Sequence, residues 1–295
     1  MASVLADLKW EVLLRYRYIE IIAHWEGRLT TNHLCSTFGI KRQQASRDIN
    51  QYKELAPANL LYDTKLKGYA PSPGFKPIFT AGSVDEYLNL LDSHSLLEGF
   101  IERVELPSPN TQVVRAPARR ADPEVVRKIV EACRKQQRLE LVYASFQNPL
   151  GEERIISPHT LVSSGYRWHV RAFCERNREF RDFVLARILH CGELHGAPLI
   201  DASEDSLWHE EIVLSLITNP NLSAEQQAMV RLERCFDDEV MQIPTRRALA
   251  IYLLQLMQVP TEPLHEDERK NPAAFPVVLD DYHQLQELSF GRKIG

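Results

Sequence analysis

Seven side chains suited to holding an anion are concentrated in the middle third of the chain: Tyr143, Ser145, Arg154, His159, Arg171, Arg181 and Arg187. A guanidinium presents forked donors that match phosphate or carboxylate two oxygens at a time. Tyr143 and Ser145 have the same strand parity and add hydroxyls, and His159 follows Pro158 at an expected strand end, a rim position. In one run Arg167, His169, Arg171 and Phe173 alternate with Tyr166, Trp168, Val170, Ala172 and Cys174; in the next, Arg181, Phe183, Leu185 and Arg187 share a parity. An arginine on a mostly apolar strand face is costly unless an anion or a carboxylate meets it. Two partners are open: an external anion, or the chain's own Glu140, Glu152, Asp182 or Glu193. Tyr166 or Trp168 could stack on a base, although the parity of Trp168, opposite Arg171, places it in the core.

These residues need a scaffold, and residues 138–192 supply short runs of alternating apolar and polar residues separated by turn formers. That pattern predicts an antiparallel sheet or small barrel. The preceding segment, 80–137, reads as helical. One helix, or two short ones, is predicted over 83–103, with Val84, Tyr87, Leu88, Leu91, Leu96 and Leu97 as its apolar set. Another follows the Asp122-Pro123 start signal to about Gln136, burying Val125, Val126, Ile129, Val130 and Cys133. These helices can transmit a signal, space two domains or join two copies. Residues 193–295 read as a small α+β extension. A strand is expected over 208–217, helices over 224–234 and 246–257, and a last strand over 277–279.

The N-terminal head, 1–79, carries a second chemistry. A helix is expected from Leu8 to Trp25, with Leu13, Leu14, Tyr18, Ile21, Ile22 and Trp25 at helical spacing. Gly27 ends it, and Thr30 or Thr31 caps a short helix to Phe38. After the Gly39-Ile40 turn comes a helix from about Arg42 to Leu55. Ala45, Ile49, Tyr52 and Leu55 face inward there. Helix, glycine turn, helix is a helix-turn-helix arrangement. Lys41, Arg42, Gln43, Gln44, Ser46 and Arg47 crowd the first turns of its second helix, the part that meets base edges in the major groove. Residues 60–69 then read as a hairpin wing, with Lys65 and Lys67 placed for phosphate. Charge agrees: residues 1–76 hold 11 Lys+Arg against 7 Asp+Glu, net +4, on a remainder of net −9. A modestly basic head on an acidic body fits a nucleic-acid-binding module.

The middle segment also resembles the WYL domain of bacterial transcriptional regulators. Trp168-His169-Val170 stands where that family has Trp-Tyr-Leu, so only the tryptophan is kept. The frame is closer: Tyr143, Arg154, Pro158-His159, Arg171, Phe180-Arg181-Asp182-Phe183 and Arg187-Ile188. The phrase Ser46-Arg47-Asp48-Ile49, with a wing closing on Gly68-Tyr69, resembles the winged heads of the same regulators, in the same order. The resemblance implies an α+β multidomain chain: winged helix-turn-helix, helical connector, SH3- or Sm-like β-barrel that senses a ligand, and a C-terminal extension for dimerisation. The layout is similar to regulators found beside phage-defence systems, most of them repressors. It implies a homodimer on a palindromic double-stranded DNA operator, released by an anionic nucleotide or nucleic-acid-like effector. The alternative is an RNA- or single-strand-binding module using the barrel as its main surface.

Other classes find little support. There is no phosphate loop, GxSxG or HExxH pattern, so no enzyme is expected. The five cysteines include no CxxC pair, which argues against a zinc cluster or a disulfide framework. No cofactor is expected. No apolar run reaches membrane-span length, and the N-terminus lacks a signal pattern, so a cytoplasmic protein without a membrane partner is expected.

Overall fold

The computed structural model describes residues 8–97, 111–114, 117, 120–283 and 285. The chain divides into two compact units, 1–115 and 116–295. In the first, α1 (Trp10–Glu26), α2 (Thr31–Phe38) and α3 (Arg42–Leu55) precede an antiparallel hairpin, β1 (Leu60–Asp63) and β2 (Gly68–Pro71), and then α4 (Val84–Leu97). The expected continuation of α4 over 98–103 lies outside the described residues. Tyr16, Ile19 and Ile22 of α1 meet Leu34, Ala45, Ile49 and Tyr52 in one core. Leu14 and Trp25, expected in that stripe, are substantially exposed; the buried stripe passes through Tyr16, Ile19 and Ala23 instead. Val84 and Leu88 of α4 are exposed as well.

Three local devices set the head's geometry. Thr30 caps α2 in a capping box, its amide donating to His33 Nδ1 at 2.9 Å. Gly39 turns the chain at φ 63°, the left-handed conformation that glycine adopts without strain. A side chain at Gly68 would meet the Leu29 carbonyl oxygen at 2.8 Å. There Leu29 and Tyr69 exchange backbone hydrogen bonds that tie the wing to the α1–α2 loop.

The second unit begins with α5 (Pro123–Lys135), whose first turn is held by the Asp122 carboxylate accepting from Glu124 N at 2.7 Å. Val125, Ile129 and Ala132 face the sheet, while Val126, Val130 and Cys133 are only half-buried. The sheet comprises β3 (Leu139–Tyr143), β4 (Glu152–Ser163), β5 (Trp168–Cys174), β6 (Glu179–Val184) and β7 (Ile188–Leu194), in the antiparallel order β6-β5-β4-β3-β7. The outer strands β6 and β7 are consecutive, joined only by a 3-10 turn, Leu185–Arg187. A flat five-stranded sheet is roughly 19 Å wide, at about 4.8 Å per spacing. Three 3-10 residues span only about 6 Å. The sheet must therefore curl until its edges approach. Among the described residues no ladder joins β6 to β7, so the curl falls short of the closed barrel expected from the sequence.

The core face of the curled sheet, with Leu139, Leu141, Ile156, Val170 and Ala172, packs on α5. Beyond it lies a second sheet, β10-β8-β9, formed by β8 (Glu211–Thr218), β9 (Val240–Arg246) and β10 (Val277–Leu279). Helices α6 (Ser206–His209), α7 (Ala224–Glu233), α8 (Ala250–Leu256) and α9 (Glu266–Arg269) accompany it. Three assignments change here. The strand expected from 208 starts at Glu211, because Asp205 caps a short helix first. Residues 240–245, for which no element was expected, form β9 together with Arg246. The helix expected from 246 begins at Ala250 after a 3-10 turn. No helix among the described residues is long and apolar enough to cross a membrane.

Candidate nucleic-acid interface and sensor site

On α3, Ala45, Ile49 and Tyr52 are buried, which turns Arg42, Gln43, Ser46 and Arg47 outward together with the N-cap residue Lys41. These side chains stand exposed on the helix's first two turns. Gln44 differs: its amide donates to Asp48 Oδ1 at 2.8 Å. Asp48 is itself buried, and Arg15 Nε of α1 donates to its other oxygen at 2.7 Å. Gln44 and Asp48 thus fasten the outward face of α3 to α1. Sequence patterning had no signal for this, since Asp48 reads as one more polar position.

The wing turn is held as firmly. Asp63 Oδ1 accepts from Lys65 N at 2.7 Å and Leu66 N at 2.9 Å, and Arg28 Nε donates to the Leu66 carbonyl at 2.7 Å. Lys65 and Lys67 point into solvent, as do Leu61 and Tyr62 on β1.

The seven sensor candidates do not form one pocket. Register decides this: Arg171 lies opposite Asp182, and Ala172 opposite Arg181. Directly paired residues point to the same face, so Arg171 and Arg181 stand on opposite faces of the sheet. Arg181 pairs with Glu179 on its own strand. Arg154, near Cys174 on that side, donates to Glu152 at 2.7 Å and reaches Asn177. Arg187 leaves the expected alternation because the 3-10 turn ends the period-two pattern, and its guanidinium lies over the Phe146 ring, 5.0 Å from the centroid. Ser145 is not on a strand; its hydroxyl accepts from Asn148 N in the turn after β3. Tyr143 packs edge-on against Phe183 and its hydroxyl accepts from Val184 N at 3.3 Å. Trp168, expected in the core, is 55% exposed, because it starts β5 beyond the last core residue, Val170.

Arg171 and His159 do converge, and on Asp205. Arg171 Nε donates to Asp205 Oδ2 at 2.7 Å and Nη2 to Oδ1 at 2.9 Å, while Nη1 reaches Asp182 Oδ1 at 3.4 Å. His159 sits at a bulge inside β4, not at its rim, with Nε2 3.2 Å from Asp205 Oδ2. Tyr252 of α8 donates to Asp182 Oδ2 at 2.9 Å. Arg171 is 4% and Asp205 1% exposed. Burial alone would raise the Asp205 carboxyl, but hydrogen bonds from Arg171 and His159 overcome it and hold the group down at about 2. Burial likewise works against the Arg171 charge, and the two aspartates more than restore it. Of the internal partners foreseen, Glu152 and Asp182 are used; Asp205, thirty-four residues away in sequence, gave no local sign. Three of the four arginines are thus already met by carboxylates of the chain, and Arg187 has none among the described residues.

Three family models match in order: a BrxR transcriptional regulator winged helix-turn-helix domain over 11–93, a WYL domain over 124–191, and a BrxR transcriptional regulator C-terminal dimerization domain over 211–285. The DNA-binding transcriptional repressor CapW of Pseudomonas aeruginosa is 32% identical over 289 residues, covering 95% of this chain and 92% of that protein. The chain belongs to the CapW repressor family. The CapW of Escherichia coli strain KTE188 is 32% identical, covering 95% of this chain and 92% of its own length. That of Stenotrophomonas maltophilia is 30% identical, covering 96% and 93%. Among solved structures, proteasome accessory factor B/C (PafBC) of Arthrobacter aurescens aligns over 94% of this chain and 47% of that one, at 16% identity and a TM-score of 0.26, too low to speak to function. The family assigns the curled sheet to the WYL domain, and the β10-β8-β9 sheet to the dimerization domain. Arg171–Asp205 therefore joins the WYL strands to the segment that leads into the dimerization domain.

Proposed function

We propose that this chain is a DNA-binding transcriptional repressor, with no enzymatic activity of its own, that grips a palindromic duplex operator as a homodimer. The observation that carries the reading is the α3 surface. Lys41, Arg42, Gln43, Ser46 and Arg47 stand exposed on the first turns of a helix whose other side is buried, with Gln44 as a positioning residue beneath. Arginine and glutamine are suited to guanine and adenine edges, and Lys65 and Lys67 on the wing are suited to phosphate. Family membership supports repression and a place beside phage-defence genes. A C-terminal dimerization module supports two-fold symmetry, which an inverted-repeat operator mirrors. The test is footprinting of the DNA upstream of the gene with purified protein. Protection of an inverted repeat is expected; protection of none would remove the operator reading.

The effector half of the reading is an anionic, nucleotide- or nucleic-acid-like ligand acting on the WYL domain. Among the described residues, three of the four candidate arginines already have carboxylate partners; Arg171 supports the effector reading in another way. Its fork already holds two coplanar oxygens, and an incoming phosphate or carboxylate would take Asp205's place. The exchange would release the chain leading to the dimerization domain, so the ligand would bind one state better than the other, the condition for any shift of population. Tyr143, Ser145 and Arg154 act as structural supports in this scheme, and Arg181 and Arg187 remain outer contacts.

A second reading has one observation in its favour. Arg187 lies over the exposed ring of Phe146, and Trp168 is exposed on the same domain; aromatic rings with arginine are the usual platform for single-stranded nucleic acid. Substituting Lys41→Ala with Arg47→Ala separates the readings. Duplex binding should collapse under the first and remain nearly intact under the second.

A further inference from the structure

Arg15 of α1 and Gln44 of α3 meet on one carboxylate. Arg15 Nε donates to Asp48 Oδ2 at 2.7 Å, and Gln44 Nε2 donates to Asp48 Oδ1 at 2.8 Å. We propose that Gln44 reads an operator base directly, and that this relay makes it select bases presenting an amino group, adenine or cytosine, over the keto bases guanine and thymine. The proposal rests on the repressor reading above and names what one side chain of the α3 surface recognises.

Three observations carry it. The first is position. Lys41, Gln44 and Arg47 recur at a spacing of three, which makes them neighbours on the helix surface. Lys41 and Arg47 are exposed and Gln44 between them is half-buried, so Gln44 lies at the border of the outward face. The second is the polarity of the relay. Asp48 is 1% exposed. A guanidinium only donates and a carboxylate only accepts, so Asp48 admits one of the two ways the Gln44 amide can turn, the one with Nε2 toward it. The opposite turn would set Oε1 against a buried carboxylate oxygen, where repulsion is poorly screened. Gln44 thus loses a glutamine's usual freedom to present either end.

The third observation is what remains. Among the described residues no donor meets Gln44 Oε1, and the amide keeps one further N–H. In the major groove adenine N6 and cytosine N4 donate, whereas guanine O6 and thymine O4 accept. A carbonyl held outward meets the first two with a hydrogen bond and the last two with a second acceptor. With adenine the remaining N–H can also reach N7, the two-point pairing that glutamine makes with that base.

Arg15 and Asp48 are positioning residues in this scheme. In Asp48→Asn, Arg15 still requires an oxygen, so the new amide turns its NH2 toward Gln44. Gln44 must then accept, and its own NH2 faces outward, toward keto oxygens.

The test enriches duplexes from a randomised double-stranded library with the full chain and sequences the bound pool. The parent chain should enrich a site with one position per half-site at which adenine or cytosine is favoured about tenfold over guanine or thymine, within what one well-placed side chain contributes. Gln44→Ala, a tolerated change at a half-buried helical position, should flatten that position and leave the others. Gln44→Glu, which keeps an outward acceptor, should keep the amino preference. Asp48→Asn should reverse it. Circular dichroism checks that each variant is folded, and the two Gln44 variants decide the matter if Asp48→Asn is not. A parent chain that enriches no site removes the operator reading and this proposal with it. A defined site whose base preferences are unchanged in Gln44→Ala overturns the proposal alone. So does a Gln44→Glu variant that turns to keto bases, or a folded Asp48→Asn variant that binds more weakly without altering which base is preferred.

Discussion

The Arg171 guanidinium holds both carboxylate oxygens of Asp205, with Nε and Nη2 at 2.7 and 2.9 Å, across thirty-four residues of sequence. The pair is nearly inaccessible to water. Its partners extend the tie: Asp205 also accepts from Trp208 N at 3.3 Å, and Arg246 Nη1 donates to the Trp208 carbonyl at 2.6 Å. A single ion pair on the WYL sheet thereby reaches β9.

Breaking such a pair from one side leaves a buried charge without a partner, which costs roughly 3–5 kcal/mol. Arg171→Met and Asp205→Asn should each destabilise the second unit by about that much, and the double variant by clearly less than the sum. Urea denaturation in a double-mutant cycle measures the coupling. Strict additivity would mean that the pair contributes nothing as a pair.

The same pair sets a pH dependence. Asp205 has a folded-state pKa depressed to about 2 from its ordinary 3.8. A carboxyl lowered in this way contributes stability above its unfolded value and loses it as pH falls through the folded one. Chain stability should therefore decline between about pH 4 and pH 2, on the order of 2 kcal/mol from this group. In Asp205→Asn that part of the acid transition should vanish. An unchanged acid limb in the variant would assign it to other carboxyls.

For the head, Lys65→Ala with Lys67→Ala should weaken duplex binding about equally for all sequences. If each lysine neutralises one phosphate, the slope of log affinity against log salt should flatten by about 2. An unaltered slope would take the wing off the DNA. Arg47→Ala should instead lower affinity for the operator more than for unrelated DNA, by about 1–3 kcal/mol if it reads a base.

Glu20 is buried in α1 and accepts from Tyr52 Oη at 3.0 Å and from Ile78 N, Phe79 N and Thr80 Oγ1, each at 2.9 Å. One carboxylate thus pins the segment that leaves the head to α1 and α3. Glu20→Gln turns an amide toward donors, and should cost on the order of 2–3 kcal/mol. It should also loosen residues 76–80 in hydrogen exchange. Wild-type protection there would show that the segment is held by packing alone.

Much of this architecture is legible in one dimension because it rests on local physics. The helix-turn-helix follows from apolar spacing, a capping threonine and Gly27 and Gly39 where left-handed turns are needed; α5 follows from Asp122-Pro123; the alternating runs announce β3 to β7. These signals are carried by neighbours in sequence, so they survive without a fold. Strand alternation also identified Arg171 as a charge needing a partner, but it did not reveal the partner or the neighbours. Register placed Arg171 and Arg181 on opposite faces, a 3-10 turn removed Arg187 from the pattern, and the chain's own Asp205 came to fill the fork. The strand β9 was missed because its inward face is only partly buried, through Met241 and Ile243, and its exposed face includes Pro244. What only the tertiary structure decided are pairings between distant segments: β5 is buried on its second face because Asp205 meets Arg171 and Tyr252 of α8 packs against His169, and no periodicity within β5 can encode what will lie on top of it.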